Sequence, residues 1–292
     1  MLYVFSSIDV ALLYQQFQRI NIIWYILGVL LVLLNIFFSS YKWWVILRFE
    51  KMSFSFSKIL KIYWIGFFFN QFLPGRIGGD VIKMSLLLGK KPAKIDYKAS
   101  VSVFIDRLFN LTGLLVVGFF GIIYYLGNVT KDIYYLPLFI LVIGIVFLGL
   151  SFGPKIIDFI LKKRKWDTLY KLKKLLIIIK EYYNKPYKVI FLILSASLFQ
   201  LLVVVLNWIL SISLSFNVDF TYFLFFIPLL AIITLIPISW GGFGLREYSY
   251  ILFLQKVGIQ DEQSLALSFL IYFTVLISAI PGIFFFNYER KK

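Results

Sequence analysis

The sequence predicts an all-α integral membrane protein, built as an inverted repeat of span, re-entrant hairpin and span, with a connecting span between the halves. Three observations predict it: the composition, the length of the apolar stretches, and a single shift of the sequence at which the two halves coincide. Of the 292 residues, 61% are hydrophobic and 15% are charged, and the mean hydropathy is +0.89. Soluble domains carry about 25% charged residues. So much apolar surface requires the bilayer as its solvent.

Five apolar stretches are long enough to cross a membrane. Residues 22–40 and 134–152 each contain 19 positions without a charged side chain, close to the ~20 residues that cover a hydrocarbon core of about 30 Å. The other three stretches are longer. We therefore predict five spans, at residues 22–40, 100–126, 134–152, 189–213 and 265–286.

Two further apolar stretches are broken by proline and glycine and predict re-entrant hairpins. The arms of the first are 59–73 and 81–88, and the arms of the second are 222–236 and 248–254. Broken backbone is tolerated at membrane depth only where protein or a water-filled cavity surrounds it. The residues expected to act as hinges, and to let backbone approach a substrate, are Pro74, Gly75, Gly78 and Gly79 in the first hairpin and Pro237, Gly241 and Gly242 in the second.

The two halves superimpose when the sequence is shifted so that Gly78 falls on Gly241, because Pro74 then falls on Pro237 and Gly79 on Gly242. We assign 22–126 to repeat 1 and 189–286 to repeat 2, with 134–152 as the connecting span that inverts the second repeat. Inverted repeats with broken helices are typical of transporters that bind substrate near the bilayer midplane. The chain is expected to be a single transmembrane domain over 1–292, with a polar segment at 1–21, a basic amphipathic loop at 153–188 and a tail at 287–292.

The positive charge of the chain follows the predicted topology. The sequence has 30 Lys and Arg residues against 14 Asp and Glu residues, a formal net charge of +16. With both hairpins re-entrant, 24 of the 30 cations fall on one side, four on the other and two within the membrane. Basic loops favour the cytoplasm, so we predict a multi-pass protein of the cell inner (plasma) membrane with a cytoplasmic C-terminus. The basic loop is expected to lie on anionic lipid head groups, and nucleic acid is not an expected partner.

Several kinds of chemistry are excluded by what the chain lacks. It has no cysteine and no histidine, which excludes disulfides, thiolate metal sites and imidazole general bases. The segment GRIGGD lacks the spacing of a nucleotide-binding P-loop, and no paired-carboxylate metal motif occurs. We therefore predict no catalytic residue, no cofactor and no metal, and we do not expect the chain to be an enzyme.

Polar residues in and beside the two hairpins predict a substrate site. Charges inside a membrane are costly unless they are paired, so they indicate function. Asp106 and Arg107 are neighbours that point to different helix faces, and each is expected to reach toward a hairpin. Arginine recognises phosphate through paired hydrogen bonds, which favours an anionic head group. The alternative is that these charges only hold the hairpins through ion pairs. The predicted substrate-binding residues are Asn70, Arg76, Asp80, Lys83, Asp106, Arg107, Ser239, Arg246 and Glu247.

Three motifs in order resemble a known family. NQFLPGRIGGDVIK, SVFIDRLFNL and IPISWGGFGLREY resemble the lysylphosphatidylglycerol synthase transmembrane-region family, which is also described as flippase-like. The resemblance covers most of the chain and implies a domain that flips aminoacylated phospholipid, or other lipids such as polyprenyl-phosphate sugars and hopanoids in stand-alone relatives. We interpret the chain as a stand-alone member without the soluble synthetase domain.

The expected function is a membrane lipid translocase or lipid-binding transporter. Its substrate would be an anionic or aminoacylated phospholipid or a polyprenyl-linked lipid, bound at a midplane site between the two hairpins. Two alternatives remain. One is a membrane-embedded enzyme or accessory subunit for lipid-linked sugar or aminoacyl transfer. The other is a scaffold for a separate lipid synthase or glycosyltransferase.

Overall fold

The structure, a computed structural model, describes residues 9–73, 78–88, 97–128, 182, 185–234 and 244–290. These residues form helices and connecting turns and contain no strand. The helices are α1 (Val10–Gln18), α2 (Ile22–Phe49), α3 (Phe56–Phe72), α4 (Gly78–Leu88), α5 (Tyr97–Asn128), α6 (Pro186–Ser213), α7 (Phe220–Ile233), α8 (Leu245–Gln255), α9 (Asp261–Ala279) and α10 (Pro281–Arg290).

Four helical segments of the described residues are long and apolar enough to cross a membrane. They correspond to four of the five predicted spans, and the all-α, multi-pass membrane architecture is confirmed at this level. The fifth predicted span, 134–152, and most of the predicted loop at 153–188 lie outside the described residues. The last three residues of that loop belong to α6. The four segments are Ile22–Phe49, Ala99–Tyr124, Pro186–Ser213 and Asp261–Glu289.

The helices begin at residues whose side chains cap them. Asn21 Oδ1 accepts from the backbone N–H groups of α2, and Ser55 Oγ accepts from that of Lys58 in α3. Asp219 Oδ1 accepts from the backbone N and the hydroxyl of Thr221, both at 2.8 Å. Such bonds satisfy donors that have no partner within the first turn. They set where the chain turns back at the ends of the apolar segments.

Replacing Asp219 with alanine is expected to lower the stability of α7 by about 1 kcal/mol, because the cap is lost. The hydrogen bonds from Thr221 lower the pKa of the Asp219 carboxyl. Because this pKa is lower in the folded protein, the ionised carboxyl stabilises the fold at any pH above the pKa of the unfolded chain, about 3.9. The stabilisation is lost as the pH falls through the pKa of the folded protein. Hydrogen exchange of the α7 amides at pH 7 and in acid measures the difference. Asp219→Asn, which caps without titrating, is the control, and equal exchange in the alanine variant would contradict the prediction.

The core is built where spans approach each other closely. Gly113 of α5 faces the backbone of α6: a Cβ at this position would lie 2.4 Å from the carbonyl carbon of Ala196. Gly121 faces α7 in the same way: a Cβ at this position would lie 2.2 Å from the carbonyl oxygen of Leu224. Glycine at these positions lets two backbones pack without intervening side chains, as is common between membrane helices. The packing holds α5 in one position against α6 and α7.

Helix ends gather at two opposite surfaces of the protein. At the first surface, α2 and α10 end, and α3, α5 and α6 begin. Three contacts establish this: Trp43 Nε1 donates to Ser102 Oγ at 3.2 Å, the rings of Phe49 and Phe191 are 6.4 Å apart, and Lys61 Nζ lies 5.0 Å from the ring centre of Tyr288.

At the second surface, α2 and α9 begin, α6 ends, and α1 packs against α9. The backbone N of Asn21 donates to the carbonyl of Ser213 at 2.8 Å, and the backbone N of Asp9 donates to Glu262 Oε1 at 3.4 Å. Helix α7 starts here as well, because only residues 214–219 separate it from α6.

Two short helix pairs each start and finish at one surface. In the pair α3 and α4, Ile59 and Ile62 near the start pack in one cluster with Leu87 near the end, so the helices run antiparallel. In the pair α7 and α8, the hydroxyl of Tyr222 donates to the carbonyl of Phe253, which again joins start to end. At 1.5 Å per residue, α3 and α7 are about 25 and 21 Å long. Both are shorter than a hydrocarbon core of about 30 Å.

Candidate functional site

Helices α2, α4 and α5 bring five charged side chains together, which we call the first charged cluster: Lys42, Asp80, Lys83, Asp106 and Arg107. At its centre the Asp80 carboxylate bridges two cations. Lys83 Nζ lies 2.6 Å from Asp80 Oδ1, and Arg107 Nε and Nη2 lie 2.8 and 2.7 Å from Oδ2. Ionised partners make such bonds shorter and stronger than neutral ones.

The second half of this cluster joins α2 to α5. Lys42 Nζ lies 3.0 Å from Asp106 Oδ1 and donates to Oδ1 of Asn110. Asn110 Nδ2 in turn donates to Asp106 Oδ2 at 3.3 Å. Lys42 and Asp106 are almost entirely buried. A buried ion pair persists only where further hydrogen bonds satisfy the two groups, and Asn110 supplies them here.

Two aromatic rings hold Lys83. Its Nζ lies 4.6 Å from the ring centre of Tyr63 and 5.2 Å from that of Trp43. A desolvated ammonium gains about 2 kcal/mol from such a ring. The rings come from α3 and α2, so they fix the ammonium on the inner side of α4, where it meets Asp80.

A close contact of α3 with α4 sets the position of Asp80. A Cβ on Gly79 would lie 2.0 Å from the carbonyl oxygen of Gly66, so only glycine fits at this position. The backbone N of Gly79 donates to Oδ1 of Asn70 at 2.9 Å. Asn70 thus caps the start of α4, and the next residue, Asp80, is directed toward α5.

Arg107 is the member of the first charged cluster that reaches the outside. Its side chain is 48% exposed, against 6% for Asp80. The Oδ1 atoms of Asp80 and Asp106 face Lys83 and Lys42, at 2.6 and 3.0 Å. The cluster therefore offers a half-exposed guanidinium to an anion, whereas its carboxylates are buried and already face cations.

A second charged cluster lies at the start of α8 and consists of Arg246 and Glu247. The two side chains pair with each other, and Glu247 Oε2 accepts from the backbone N of Gly244 at 2.6 Å. Ser268 of α9 donates to Glu247 Oε1 at 3.4 Å, and the Arg246 guanidinium lies 5.1 Å from the ring centre of Tyr272. Glu247 is fully buried. As with Asp80 in α4, an acidic side chain occupies the first turn of a short helix, where the helix dipole favours it.

The two clusters lie on opposite sides of the helix centres. At 1.5 Å per residue, Lys42 and Asp106 lie about 8 to 10 Å from the middles of their spans, toward the first surface. Ser268, which contacts the second cluster, lies about 10 Å from the middle of its span, toward the second surface. Each cluster therefore lies nearer to one surface than the midpoints of the helices do.

Two sequence interpretations are wrong. Asp106 pairs with Lys42 of α2 and not with a residue of a predicted hairpin, whereas Arg107 pairs with Asp80 of α4, which belongs to the first predicted hairpin. The 24 cations predicted on the basic side of the membrane include Lys42 and Lys83, but Lys42 is buried within a span and Lys83 is buried in α4. Helical spacing could have placed Lys42 inside, since it lies three residues after Ser39 and four before Ile46, which are both buried.

The structure brings together most of the predicted site residues that it describes. Asn70, Asp80, Lys83, Asp106 and Arg107 meet in the first half of the chain, and Arg246 and Glu247 meet in the second. Sequence reasoning missed Lys42, Tyr63 and Asn110 as members of the site. The predicted residues that lie outside the described part of the chain are Arg76, Ser239, Pro74, Gly75, Pro237, Gly241 and Gly242.

Among the described residues, no group of three or more Asp, Glu, His or Cys side chains is arranged to hold a metal ion. The charged side chains of the two clusters can recognise charge: arginine and lysine an anion, and carboxylates a cation. Head groups of membrane lipids carry these charges.

Comparison with known proteins assigns the family. No curated protein and no solved structure matches the chain. One family model, described as the lysylphosphatidylglycerol synthase TM region, matches residues 1–282. This range includes all of both charged clusters. The chain therefore belongs to the lysylphosphatidylglycerol synthase transmembrane-region family, a family of membrane domains linked to lysylphosphatidylglycerol synthesis.

Proposed function

We propose that this protein translocates a phospholipid and that the two charged clusters bind its head group, one in each leaflet. The observation that carries the proposal is the placement of the clusters. Each pairs an arginine with a buried carboxylate in the first turn of a short helix, and they lie on opposite sides of the helix centres. A lipid that crosses a membrane presents its head group at both of these depths.

An inverted repeat would account for this placement. With the sequence shifted so that Gly78 falls on Gly241, the bounds of α2 become 185–212, and α6 is Pro186–Ser213. The bounds of α3 become 219–235, and α7 is Phe220–Ile233. Shifted in the same way, α5 covers 260–291, and α9 with α10 covers 261–290. Shifted in the same way, α4 would begin at residue 241, whereas α8 begins four residues later, at Leu245. The agreement is therefore closer for the other helices.

The packing of the two halves supports the same repeat. Helix α5 meets α7 at Gly121, where a Cβ would lie 2.2 Å from the carbonyl oxygen of Leu224. Helix α10 meets α3 at Gly282, where a Cβ would lie 2.6 Å from the carbonyl oxygen of Trp64. Thus the last helix of each half packs through a glycine against the first short helix of the other. We infer that α3–α4 and α7–α8 are re-entrant hairpins that enter from opposite surfaces.

The first charged cluster suits a head group that carries a phosphate. Arg107 is half-exposed, and its Nε and Nη2 both contact Asp80. A phosphate oxygen can take the place of the carboxylate and accept the same two hydrogen bonds. Asp80 would then keep Lys83, so no charge is left without a partner. An aminoacyl ammonium would compete with Lys83 for Asp80 or with Lys42 for Asp106.

We further propose that the first surface faces the cytoplasm. The basic residues at the end of α2 and the start of α3 lie there, among them Arg48, Lys51, Lys58 and Lys61. Removing the buried Lys42 and Lys83 from the count still leaves 22 of the 30 cations on that side in the proposed topology. Cytoplasmic loops carry such an excess. Helix α10 ends at the same surface, so the C-terminus would be cytoplasmic.

Replacing Arg107 with glutamine is expected to abolish most lipid translocation and to leave the protein folded. Asp80 retains its ion pair with Lys83 at 2.6 Å, so the variant leaves no unpaired buried charge. Purified protein is reconstituted into vesicles that contain fluorescent phosphatidylglycerol or lysylphosphatidylglycerol. The assay measures the fraction of the fluorescent lipid that an impermeant quencher cannot reach. One charge-assisted hydrogen bond contributes about 1.5 kcal/mol or more to binding. Its loss therefore lowers the translocation rate at limiting substrate at least tenfold.

Arg19→Gln is the matched control, because Arg19 is exposed at the second surface and the change removes the same charge. This variant is expected to translocate like the parent protein. A parent protein that moves lipid no faster than protein-free vesicles would overturn the proposed function. A well-folded Arg107→Gln protein with full activity would instead remove Arg107 from the site.

A further inference from the structure

An open groove of about 520 Å³ lies in the turn between α2 and α3, and it belongs to neither charged cluster. We propose that it binds the phosphodiester head group of an anionic phospholipid, held as a boundary lipid at the first surface. This site does not depend on the translocation proposed above. The residues that line the groove are Arg48, Lys51, Met52, Ser53, Phe54 and Ser55.

The depth of the groove fits a head group. Helix α2 exposes large apolar side chains from Ile22 to Tyr41. These 20 residues span about 30 Å, the thickness of the hydrocarbon core. Arg48 follows Tyr41 by seven residues, about 10 Å further along the helix. A lipid-facing helix of this length therefore places Arg48 in the head-group layer.

The chemistry of the groove is that of a phosphate site. Arg48 and Lys51 are exposed cations, and Ser53 and Ser55 add hydroxyl groups. No carboxylate is among the described residues that line the groove, and the nearby Glu50 accepts from the hydroxyl of Tyr182 at 2.5 Å. An anion there would receive charge-assisted hydrogen bonds from both cations.

Helix α3 adds a second reason to expect an anion. It begins beside the groove, with Ser55 as its cap and no acidic residue in its first turn. Lys58 lies there instead, its Nζ 5.1 Å from the ring centre of Phe54. A cation near a helix N-terminus opposes the helix dipole, whereas an anion is favoured. The negative charge of a bound phosphate would balance both the positive end of the α3 dipole and the positive charge of Lys58.

Aromatic rings lie on the membrane side of the groove. The Arg48 guanidinium stacks over Trp44, 4.0 Å from its ring centre, and Trp44 Nε1 donates to the carbonyl of Phe54 at 2.9 Å. Phe56 makes edge contacts with Trp44 and with Tyr41. Trp and Tyr occupy the level at which head groups meet acyl chains. These rings offer an apolar surface to the glycerol and first methylenes of a bound lipid, which a free phosphate would not use.

Lys51 allows a test that does not depend on destabilising the protein. Its φ of 60° lies in the left-handed region, and the backbone N of Met52 donates to the carbonyl of Leu47 across it. Glycine is the usual residue at this position of a helix end. Lys51→Gly therefore removes a cation and relieves backbone strain at once. Ser215, with φ 63° at the end of α6, provides the matched control that changes strain alone.

The experiment measures binding of dioctanoyl phosphatidylglycerol to the full chain in detergent by native mass spectrometry. All variants carry Arg107→Gln, so that the first charged cluster does not contribute. The second charged cluster is common to all of them and adds the same background to each. Adding Arg48→Gln with Lys51→Gly is expected to weaken the affinity at least tenfold, and Lys51→Gly alone to weaken it while raising the melting temperature. Ser215→Gly and Arg19→Gln are expected to leave the affinity unchanged.

Three outcomes would overturn the site. The first is unchanged affinity for phosphatidylglycerol in the double groove variant. The second is equal affinity for dioctanoyl phosphatidylcholine, since a zwitterionic head group does not carry the net charge that the groove selects. The third is displacement of the lipid by an equal concentration of inorganic phosphate, which would assign the groove to free anions.

Discussion

Replacing Lys42 with methionine is expected to lower the free energy of unfolding by about 3 to 5 kcal/mol, the usual cost of removing one partner of a buried ion pair. Asp106 would remain in the protein interior with Asn110 as its described partner. The amide cannot neutralise the carboxylate, whose burial without a cation is costly. Denaturant titration of the purified protein in detergent measures the change.

The double variant Lys42→Met with Asp106→Leu separates the charge from the packing. It is expected to recover most of the lost stability, because apolar replacement of both partners of a buried pair is often neutral or stabilising. Arg19→Met is the control for loss of an exposed cation and is expected to change the stability by less than about 1 kcal/mol. A single Lys42 variant as stable as the parent protein would show that the ion pair is not formed.

Replacing Gly113 with alanine is expected to destabilise the protein by about 1 to 3 kcal/mol through overpacking. The new Cβ would lie 2.4 Å from the carbonyl carbon of Ala196 and 2.7 Å from the backbone N of Ser197. Backbone atoms in the middle of a helix cannot rotate away, so α5 and α6 would have to separate. The melting temperature in detergent measures the loss.

Gly28→Ala is the control for the general effect of alanine in a helix. There the new Cβ would meet Leu210 Cδ2 at 2.7 Å, and a leucine side chain can change its rotamer. Alanine also gains about 1 kcal/mol over glycine in helix propensity. We expect little change at Gly28 and a clear loss at Gly113. Equal melting temperatures in the two variants would contradict the close approach of α5 and α6.

The spans were predictable because the bilayer acts on each helix separately. A helix must be long and apolar enough to cross, and this property can be counted along the chain. The predicted span at 189–213 agrees with α6, which is Pro186–Ser213. Helix α2 continues to Phe49, nine residues past the predicted end. Hydropathy alone does not predict this extension, because a charged residue at 42 ends the apolar stretch; burial and pairing with Asp106 allow Lys42 within the helix.

The site was harder to predict because its pairs join distant parts of the chain. Composition and motifs indicated Asp80, Asp106 and Arg107, since charged residues beside broken helices are unusual. Their partners depend on how the helices pack: Lys42 is 64 positions before Asp106. Arg246, in contrast, pairs with its neighbour Glu247. No rule of spacing distinguishes these cases, so only the packed structure identifies the pairs.

The bridging carboxylate of Asp80 has a consequence for the speed of the proposed transport. It contacts the guanidinium atoms that a phosphate would use, so it would compete with a bound phosphate for them. A ligand that must first displace such a group binds less tightly than one that meets an open site. A moderate affinity shortens the time that each lipid stays bound. The carboxylate thereby favours release, and rapid turnover, over storage of a single tightly held lipid.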